Sequence, residues 1–260
     1  MIREDRLKAI DCAKQKILAR SAERYERAKE DYDEKVKKRE EKFKATGKKP
    51  KGKVPVAPVE GPRDKDQVNL TDEESRIMPL SGGGFGQCYN AQACVDIDSL
   101  LIVATGVSIH PNDKKELEPA LQELQKLPAD IGTPDNILAD TGYYSAANVQ
   151  LCLDHKIYPL IAQKREKHHP SPCERFSEPA PLSEEATDVE RVSHYLKKQE
   201  GKKLYAQRKS TVEPVFGIMK NVMGFRQFML RGIEKVKGEW NLLALCWNIK
   251  RLHKLTENRA

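Results

Sequence analysis

Apolar positions are sparse over the first 45 residues and become dense only after residue 87. Residues 2 to 45 contain no Gly or Pro, and their larger apolar residues are confined to Ile2, Leu7, Ile10, Ile17, Leu18, Tyr25, Tyr32, Val36 and Phe43. This spacing predicts one long, solvated helix. Leu18, Tyr25 and Tyr32 fall seven residues apart, a weak coiled-coil-like seam that can face another helix. Pairs such as Glu34 with Lys38 support the helix locally. From Thr46 to Asp66, Gly and Pro punctuate a basic stretch that neither continues a helix nor packs a core, which predicts a mobile linker. The chain therefore divides into a charged helical segment (1–45), a Pro/Lys-rich linker (46–66) and a folded region (67–260), with a polar insertion at 163–200.

Within the folded region the hydrophobic period changes. Gln87 to Val95 and Leu100 to Ser108 are strand-like and joined by the short polar turn "DIDS", predicting an antiparallel hairpin. The Gly-rich "SGGGF" before it lacks the lysine and Ser/Thr of a phosphate-binding loop, and no apolar strand precedes it, so it reads as a turn. Next, Leu117, Leu121, Leu124 and Leu127 share one helical face, with Asn112 or Asp113 placed to cap it. "NILAD" is a short buried strand ending at Asp140, Ser145 caps a following helix, and Ile157 to Ala162 form another strand. A helix is expected around Asp188 to Lys198, and helical sequence from about Lys203 closes with a core-packed segment carrying Trp240, Leu243, Leu245, Trp247 and Leu252. Hairpin, helix, strand, helix, strand is the order of an α/β protein with a mixed sheet and flanking helices. Asp140 stands at the carboxyl end of its strand, where open α/β sheets place their chemistry.

Composition narrows the picture. No run approaches the length of a bilayer span and the first residues lack a secretory signal, so the chain reads as cytosolic and not membrane-bound. Six scattered cysteines without a CxxC pair fit reduced thiols better than disulfides or a zinc ribbon. His168, His169 and Cys173 are close enough to be weighed as a zinc site, although adjacent histidines in a Pro-rich loop are more often solvated. The net charge of +7 is unevenly distributed. Lys plus Arg against Asp plus Glu is 21 to 13 in residues 1–65, 10 to 21 in 66–196 and 15 to 5 in 197–260. Basic flanks around an acidic middle suit contact with a polyanion beside a carboxylate centre, and equally suit two solvated surfaces.

The sharpest local pattern is "YAQRKSTVEPVFGIMK". Thr211 is placed to cap a helix with Pro214 in its first turn, and Glu213, Phe216, Gly217 and Lys220 then share a face. A carboxylate and an ammonium on one face are either exposed surface or part of a site that Tyr205 and Arg208 join. The segment resembles the Tyr-Arg-Glu-Lys signature of insertion-sequence transposases, whose DDE active site sits on an RNase H-like fold. Tyr205 to Arg208 and Glu213 to Lys220 keep its spacing, while four residues instead of three separate Arg208 from Glu213. "LADTGYYS" around Asp140 resembles the second-aspartate motif of the same family, and "GGGFGQCYNAQACVD" and "MGFRQFMLRG" also resemble its members.

The resemblance, running from about Arg63 to Leu255, implies metal-dependent cleavage and transfer of DNA strands. Asp140 and Glu213 would be catalytic and would ligate Mg²⁺ or Mn²⁺, with Tyr205, Arg208 and Lys220 contacting DNA. The partners implied are element ends, target DNA and a possible second copy in the DNA complex. Two cations stabilise the entering and leaving oxygens of a phosphodiester, and such ions take oxygen ligands from separate elements. The family's first aspartate, on the first strand in an Asp-Gly-Thr-like sequence, has no match. Asp72 and Asp96 are substitutes that lack the apolar strand the motif demands. The expectation is a truncated transposase, its first strand and first aspartate upstream of Met1, weak or inactive alone. The alternative is a DNA-binding or regulatory transposase fragment without chemistry.

Overall fold

A computed structural model of the protein describes residues 2–48, 50, 52–80, 82–163 and 178–257. The His168, His169 and Cys173 group lies outside the described residues. The chain forms two compact units, Met1–Ser75 and Arg76–Ala260.

The first unit is a single helix, α1 (Ile2–Thr46), with the following segment returning along it. Among its described residues the segment buries no apolar core, and Val54, Val56 and Val59 stay exposed. Arginines hold it instead. Arg39 donates to the carbonyls of Pro50 and Lys53, Arg24 to that of Gly61, and Arg20 to that of Glu73. The face of α1 that becomes covered runs through Ile17, Ser21, Arg24 and Ala28, whereas Leu18 of the seven-residue seam is 56% exposed. Ser21, buried, turns its hydroxyl to the Leu18 carbonyl.

The strongest clip is a two-pronged ion pair, Arg24 Nη1 to Asp66 Oδ1 at 2.7 Å and Nη2 to Oδ2 at 2.8 Å. The Arg63 backbone N–H also donates to Asp66. Hydrogen bonding to Arg24 first, then to Arg63, lowers the Asp66 carboxyl from 3.8 to about 2. A lowered pKa means this clip is intact above about pH 4 and is lost as pH falls through 2. A carboxyl carbon NMR titration of Asp66 is expected to give a midpoint near 2, and Arg24→Gln should return it toward 3.8.

The second unit is mixed α/β. β1 (Arg76–Pro79) and β2 (Phe85–Cys88) form an antiparallel hairpin around the Gly-rich turn. β3 (Asn90–Val95) pairs antiparallel with β4 (Ile102–Ser108), so the first strand foreseen from Gln87 is broken at Tyr89 into parts of two hairpins. A 3₁₀ turn, Asp113–Lys115, leads into α2 (Leu117–Gln125), whose Leu117, Leu121 and Leu124 are buried. Neither Asn112 nor Asp113 caps α2, which is entered from Glu116 with no side-chain cap. β5 (Asn136–Ala139), α3 (Ala146–Asp154) and β6 (Tyr158–Ile161) make a parallel strand–helix–strand unit, with the Ser145 hydroxyl accepting from Asn148 N at 3.0 Å as its predicted cap. α4 (Asp188–Lys197), α5 (Gln199–Ala206), α6 (Arg208–Asn221) and α7 (Ile233–Glu257) follow.

Among the described residues the strands form three separate two-stranded sheets, not the one mixed sheet expected. Part of the reason is that side chains take main-chain groups of the hairpin. The Asn248 amide brackets Ile102, accepting from its N–H and donating to its carbonyl, both at 2.8 Å. The indoles of Trp240 and Trp247 donate to the carbonyls of Gln92 and Leu100, each at 2.8 Å.

The β3–β4 hairpin contributes to two cores. One gathers Ile102, Val107, Val215, Met219, Val236, Trp240, Ala244 and Trp247, with Ala91, Ala93 and Val95 against it. The other gathers Ala104, the three α2 leucines, Ala139, Cys152, Ile157 and Ile161, with Cys94 against it. Alternation along β3 explains the division, since successive side chains of a strand point to opposite faces. Burial raises the thiols of Cys94 to about 11 and Cys152 to about 12, so both stay protonated and unreactive at neutral pH. On α7 the buried side is Trp240, Ala244 and Trp247. Leu245 and Leu252, expected in the core, are 54% and 48% exposed.

Candidate active site

Asp140 follows directly on β5 and caps the 3₁₀ turn Thr141–Tyr143, its Oδ1 accepting from Gly142 N at 2.7 Å. Its carboxylate is exposed while Ala139, the preceding residue, is buried and paired with Ile161 of β6. The strand thus anchors the aspartate at its solvent end.

A second carboxylate stands beside it. A Cβ at Gly142 would lie 2.9 Å from Asp140 Oδ1 and 3.2 Å from Asp113 Oδ2, which places the two oxygens within about 6 Å of each other. Asp113 is held by two amides of β3, Asn90 Nδ2 at 2.8 Å and Gln92 Nε2 at 2.9 Å, both on its Oδ1. The Tyr143 hydroxyl donates to the Gln92 carbonyl oxygen Oε1. Asn148, buried at the start of α3, donates to the carbonyls of Lys114 at 2.9 Å and Tyr143 at 2.6 Å, tying the two carboxylate-bearing loops together. Burial first, and then the charges of Asp113 and Asp140, raise the Tyr143 phenol well above its ordinary value, so it remains a donor. Glu116, also buried nearby in sequence, is engaged by His110 Nδ1 at 2.8 Å.

The absence of a side chain at Gly142 has a direct consequence. Gly142→Ala would put a methyl group too close to Asp140 Oδ1, so the exposed carboxylate would have to leave the Gly142 N–H and swing away. The variant is expected to keep its unfolding free energy within about 1 kcal/mol of the parent. If Asp140 acts at the reacting phosphate, strand cleavage should fall roughly tenfold or more, a size typical of misplaced catalytic groups.

Glu213 and Lys220 lie on α6, both exposed, with Val215 and Met219 buried beneath and Phe216 packed on Trp240 at 5.6 Å between ring centres. Thr211 is not the cap of this helix. α6 starts at Arg208, and Thr211 is buried within it, its hydroxyl directed to the carbonyls of Gln207 and Arg208. Pro214 is consequently an interior proline. It removes one N–H from the ladder at the surface, and the buried residues on either side hold the helix together.

Arg208 sits 3.9 Å from Glu213 and 5.7 Å from the Tyr205 ring centre, so three of the predicted residues gather at the start of α6. Arg208 Nε is buried without a hydrogen-bond partner among the described residues. Lys220 Nζ lies 5.8 Å from the Phe216 ring centre.

The structure records no contact joining Asp140 to Glu213, and among the described residues no three His, Cys, Asp or Glu side chains converge as a metal cluster. Asp96 is engaged within the hairpin turn. It follows β3 at the end where Val95 pairs Ile102, and its carboxylate accepts from Ser99 N and Oγ in the turn. Asn90, at the other end of β3, is the residue that meets Asp113. Asp72 belongs to the first unit.

The comparison with family models decides the relationship. Residues 59–249 match the model described as the transposase DDE domain. The chain belongs to that family. Searches of curated proteins and of solved structures each returned no match. The matched span includes the Asp140 turn, the Asp113 loop and the whole of α6. The family implies DNA as substrate. No helix among the described residues is long and apolar enough to cross a membrane.

Asn90, Gln92, Asp113 and Asn148 were missed by sequence reasoning. The available signal was small: Asn90 and Gln92 alternate as polar residues on one face of an otherwise apolar strand, which requires a polar partner across that face.

Proposed function

We propose that this chain carries the DNA strand cleavage and transfer chemistry of an insertion-sequence transposase, with Asp140 and Glu213 as its catalytic carboxylates. The observation that carries the reading is Asp140 itself, fixed by Gly142 N at the carboxyl end of a parallel strand whose last residue, Ala139, is buried, with Asp113 facing it across Gly142. The mixed α/β unit is read as RNase H-like, a fold whose strand ends present carboxylates to a phosphodiester.

The donor set fits Mg²⁺ or Mn²⁺: exposed carboxylate oxygens, hard ligands without a soft thiolate among them. Asp140 and Glu213 would hold the metal, with Asp113 near enough to contribute. The ions, when bound, supply charge stabilisation for the entering and leaving oxygens. The chain's own residues do the rest. Gly142 N fixes the Asp140 rotamer, and Asn90 and Gln92 keep Asp113 oriented. Arg208 and Lys220 meet phosphates, which positions DNA without reading sequence, and Tyr205 shapes the Arg208 side. Because an element has two ends, two copies act together in the DNA complex.

The test is strand cleavage. With Asp113 read as the third carboxylate in place of the unmatched first aspartate, the purified chain, incubated with supercoiled plasmid carrying element ends and Mg²⁺, is expected to nick or cut DNA instead of being inactive alone, and chelation should stop it. Binding should weaken steeply with salt, as the logarithm of affinity falls with the logarithm of salt for each phosphate neutralised. Metal-independent cleavage, or no affinity for DNA, would sink this reading. A second reading, a DNA-binding or regulatory member without chemistry, draws on the lack of a three-residue metal cluster among the described residues. Salt-sensitive binding with no cleavage under any divalent cation would favour it.

A further inference from the structure

Between α6 and α7 runs the loop 222–232, which Glu213 and Lys220 do not involve. Its inner side is fixed by aromatic packing. Phe225 and Phe228 meet edge to face at 5.4 Å, and both pack on Trp240, at 6.4 and 6.3 Å, while Tyr89 meets Phe228 at 6.3 Å.

Hydrogen bonds fix its tip. Met229 N donates to both oxygens of Glu239, at 2.8 and 3.1 Å, and Leu230 N donates to Oε2 at 3.0 Å. At its start Gly224 takes a left-handed φ of 75°, a conformation suited to glycine, and Phe225 N closes onto the Met219 carbonyl at 3.0 Å.

What this scaffold presents is unusual for a loop. Met229 is 75% exposed and Leu230 48%, despite both backbone amides being anchored. Exposed arginines, Arg226 and Arg231, flank them. From Pro214 to Ile233 the chain contains Lys220, Arg226 and Arg231 and no acidic residue. An exposed apolar side chain on a loop with anchored backbone amides, with an exposed arginine on either side of it in the sequence, matches the chemistry of a duplex step. Cations reach the two backbones and an apolar tip enters between bases, as wedge residues do when they partly unstack a step.

We propose that the 222–232 loop is a DNA-distorting element, with Met229 inserted at a base step and Arg226 and Arg231 on the flanking phosphates. The proposal rests on DNA being the substrate, as argued above. Anchoring by Glu239 matters to the mechanism, because a loose loop would fold its methionine onto the protein surface instead of presenting it.

The experiment uses the full chain and a duplex of about 30 base pairs carrying 2-aminopurine either near one end or at the centre, with anisotropy reporting binding and 2-aminopurine emission reporting unstacking. Binding of the parent chain is expected to raise emission several-fold for at least one probe position. Met229→Ala should retain affinity within a few-fold and lose most of that rise, and Met229→Leu should restore it. The pair Arg226→Ala with Arg231→Ala should weaken binding about tenfold and reduce the salt slope by about two, one per phosphate contact. Unfolding midpoints for all variants should match the parent, since the replaced side chains are exposed. Bound DNA with no emission change, or an emission rise indifferent to Met229→Ala, overturns the wedge while leaving the DNA reading intact. Loss of self-association in Met229→Ala with unchanged emission assigns the loop to a protein contact and likewise overturns it. Absence of any DNA binding would overturn both.

Discussion

Asp140→Asn is expected to lower metal-dependent strand cleavage by about a thousandfold, roughly 4 kcal/mol of barrier. Asparagine has the same shape and can still accept the Gly142 N–H through its carbonyl oxygen, so the turn should survive. What disappears is the negative charge and one hard oxygen ligand. The side chain is exposed and makes no apolar contact of consequence, so the thermal midpoint should remain within a degree or two of the parent. DNA binding should also persist, or tighten slightly as one negative charge is removed near phosphate. A variant that still cleaves within tenfold of the parent would remove Asp140 from the chemistry, and one that loses binding and cleavage together would make it a structural residue. Plasmid cleavage and anisotropy on the same preparation separate these outcomes.

The largest stability effect should come from Trp240→Ala, at about 3–5 kcal/mol, the usual range for emptying a buried aromatic site. Trp240 is 3% exposed and touches Phe216, Phe225 and Phe228. Its indole N–H also holds the Gln92 carbonyl, and removal leaves that acceptor without its present donor. Chemical denaturation should show a lower midpoint with a similar slope. Trp240→Phe should recover part of the packing but not the hydrogen bond, and so fall between the two. An activity consequence is expected as well: the residue whose backbone Trp240 holds is the one whose side chain contacts Asp113 and Tyr143. Cleavage should therefore decline in Trp240→Phe even at temperatures where the variant is fully folded.

The parts legible in the sequence were those governed by neighbours along the chain. Apolar residues before Asp140 made β5 visible, the Ser145 cap announced α3, and leucines at helical spacing announced α2. Failure began where through-space contacts decide. On α7 apolar residues occur on every side, so Leu245 and Leu252 look no different from Trp240 and Trp247 until the partner layer is known. Thr211 resembled a cap because Thr is a favoured N-cap residue and Pro214 would then fall in the first turn, where proline is tolerated. Here the helix is already under way at Arg208, and tertiary burial of Val215 and Met219 overrides the local preference. The pairing of Asp113 with Asp140 depends on an amide pair some twenty residues upstream of Asp113, Asn90 and Gln92, and no spacing rule links them.

The positions of the two tryptophans have a practical consequence. Both indoles lie on α7, buried against the hairpin, within the core that also includes Val215 and Met219. Intrinsic fluorescence of this protein is therefore a local gauge of that layer. The core beneath Asp140 holds tyrosines but no tryptophan, so the indoles sense it only indirectly, through the Gln92 carbonyl that Trp240 holds. An unfolding curve followed by indole emission would report chiefly the α6–α7 layer and only secondarily the carboxylate turn. A probe placed near Tyr144, or exchange of the Gly142 amide, would be needed to watch the other half melt.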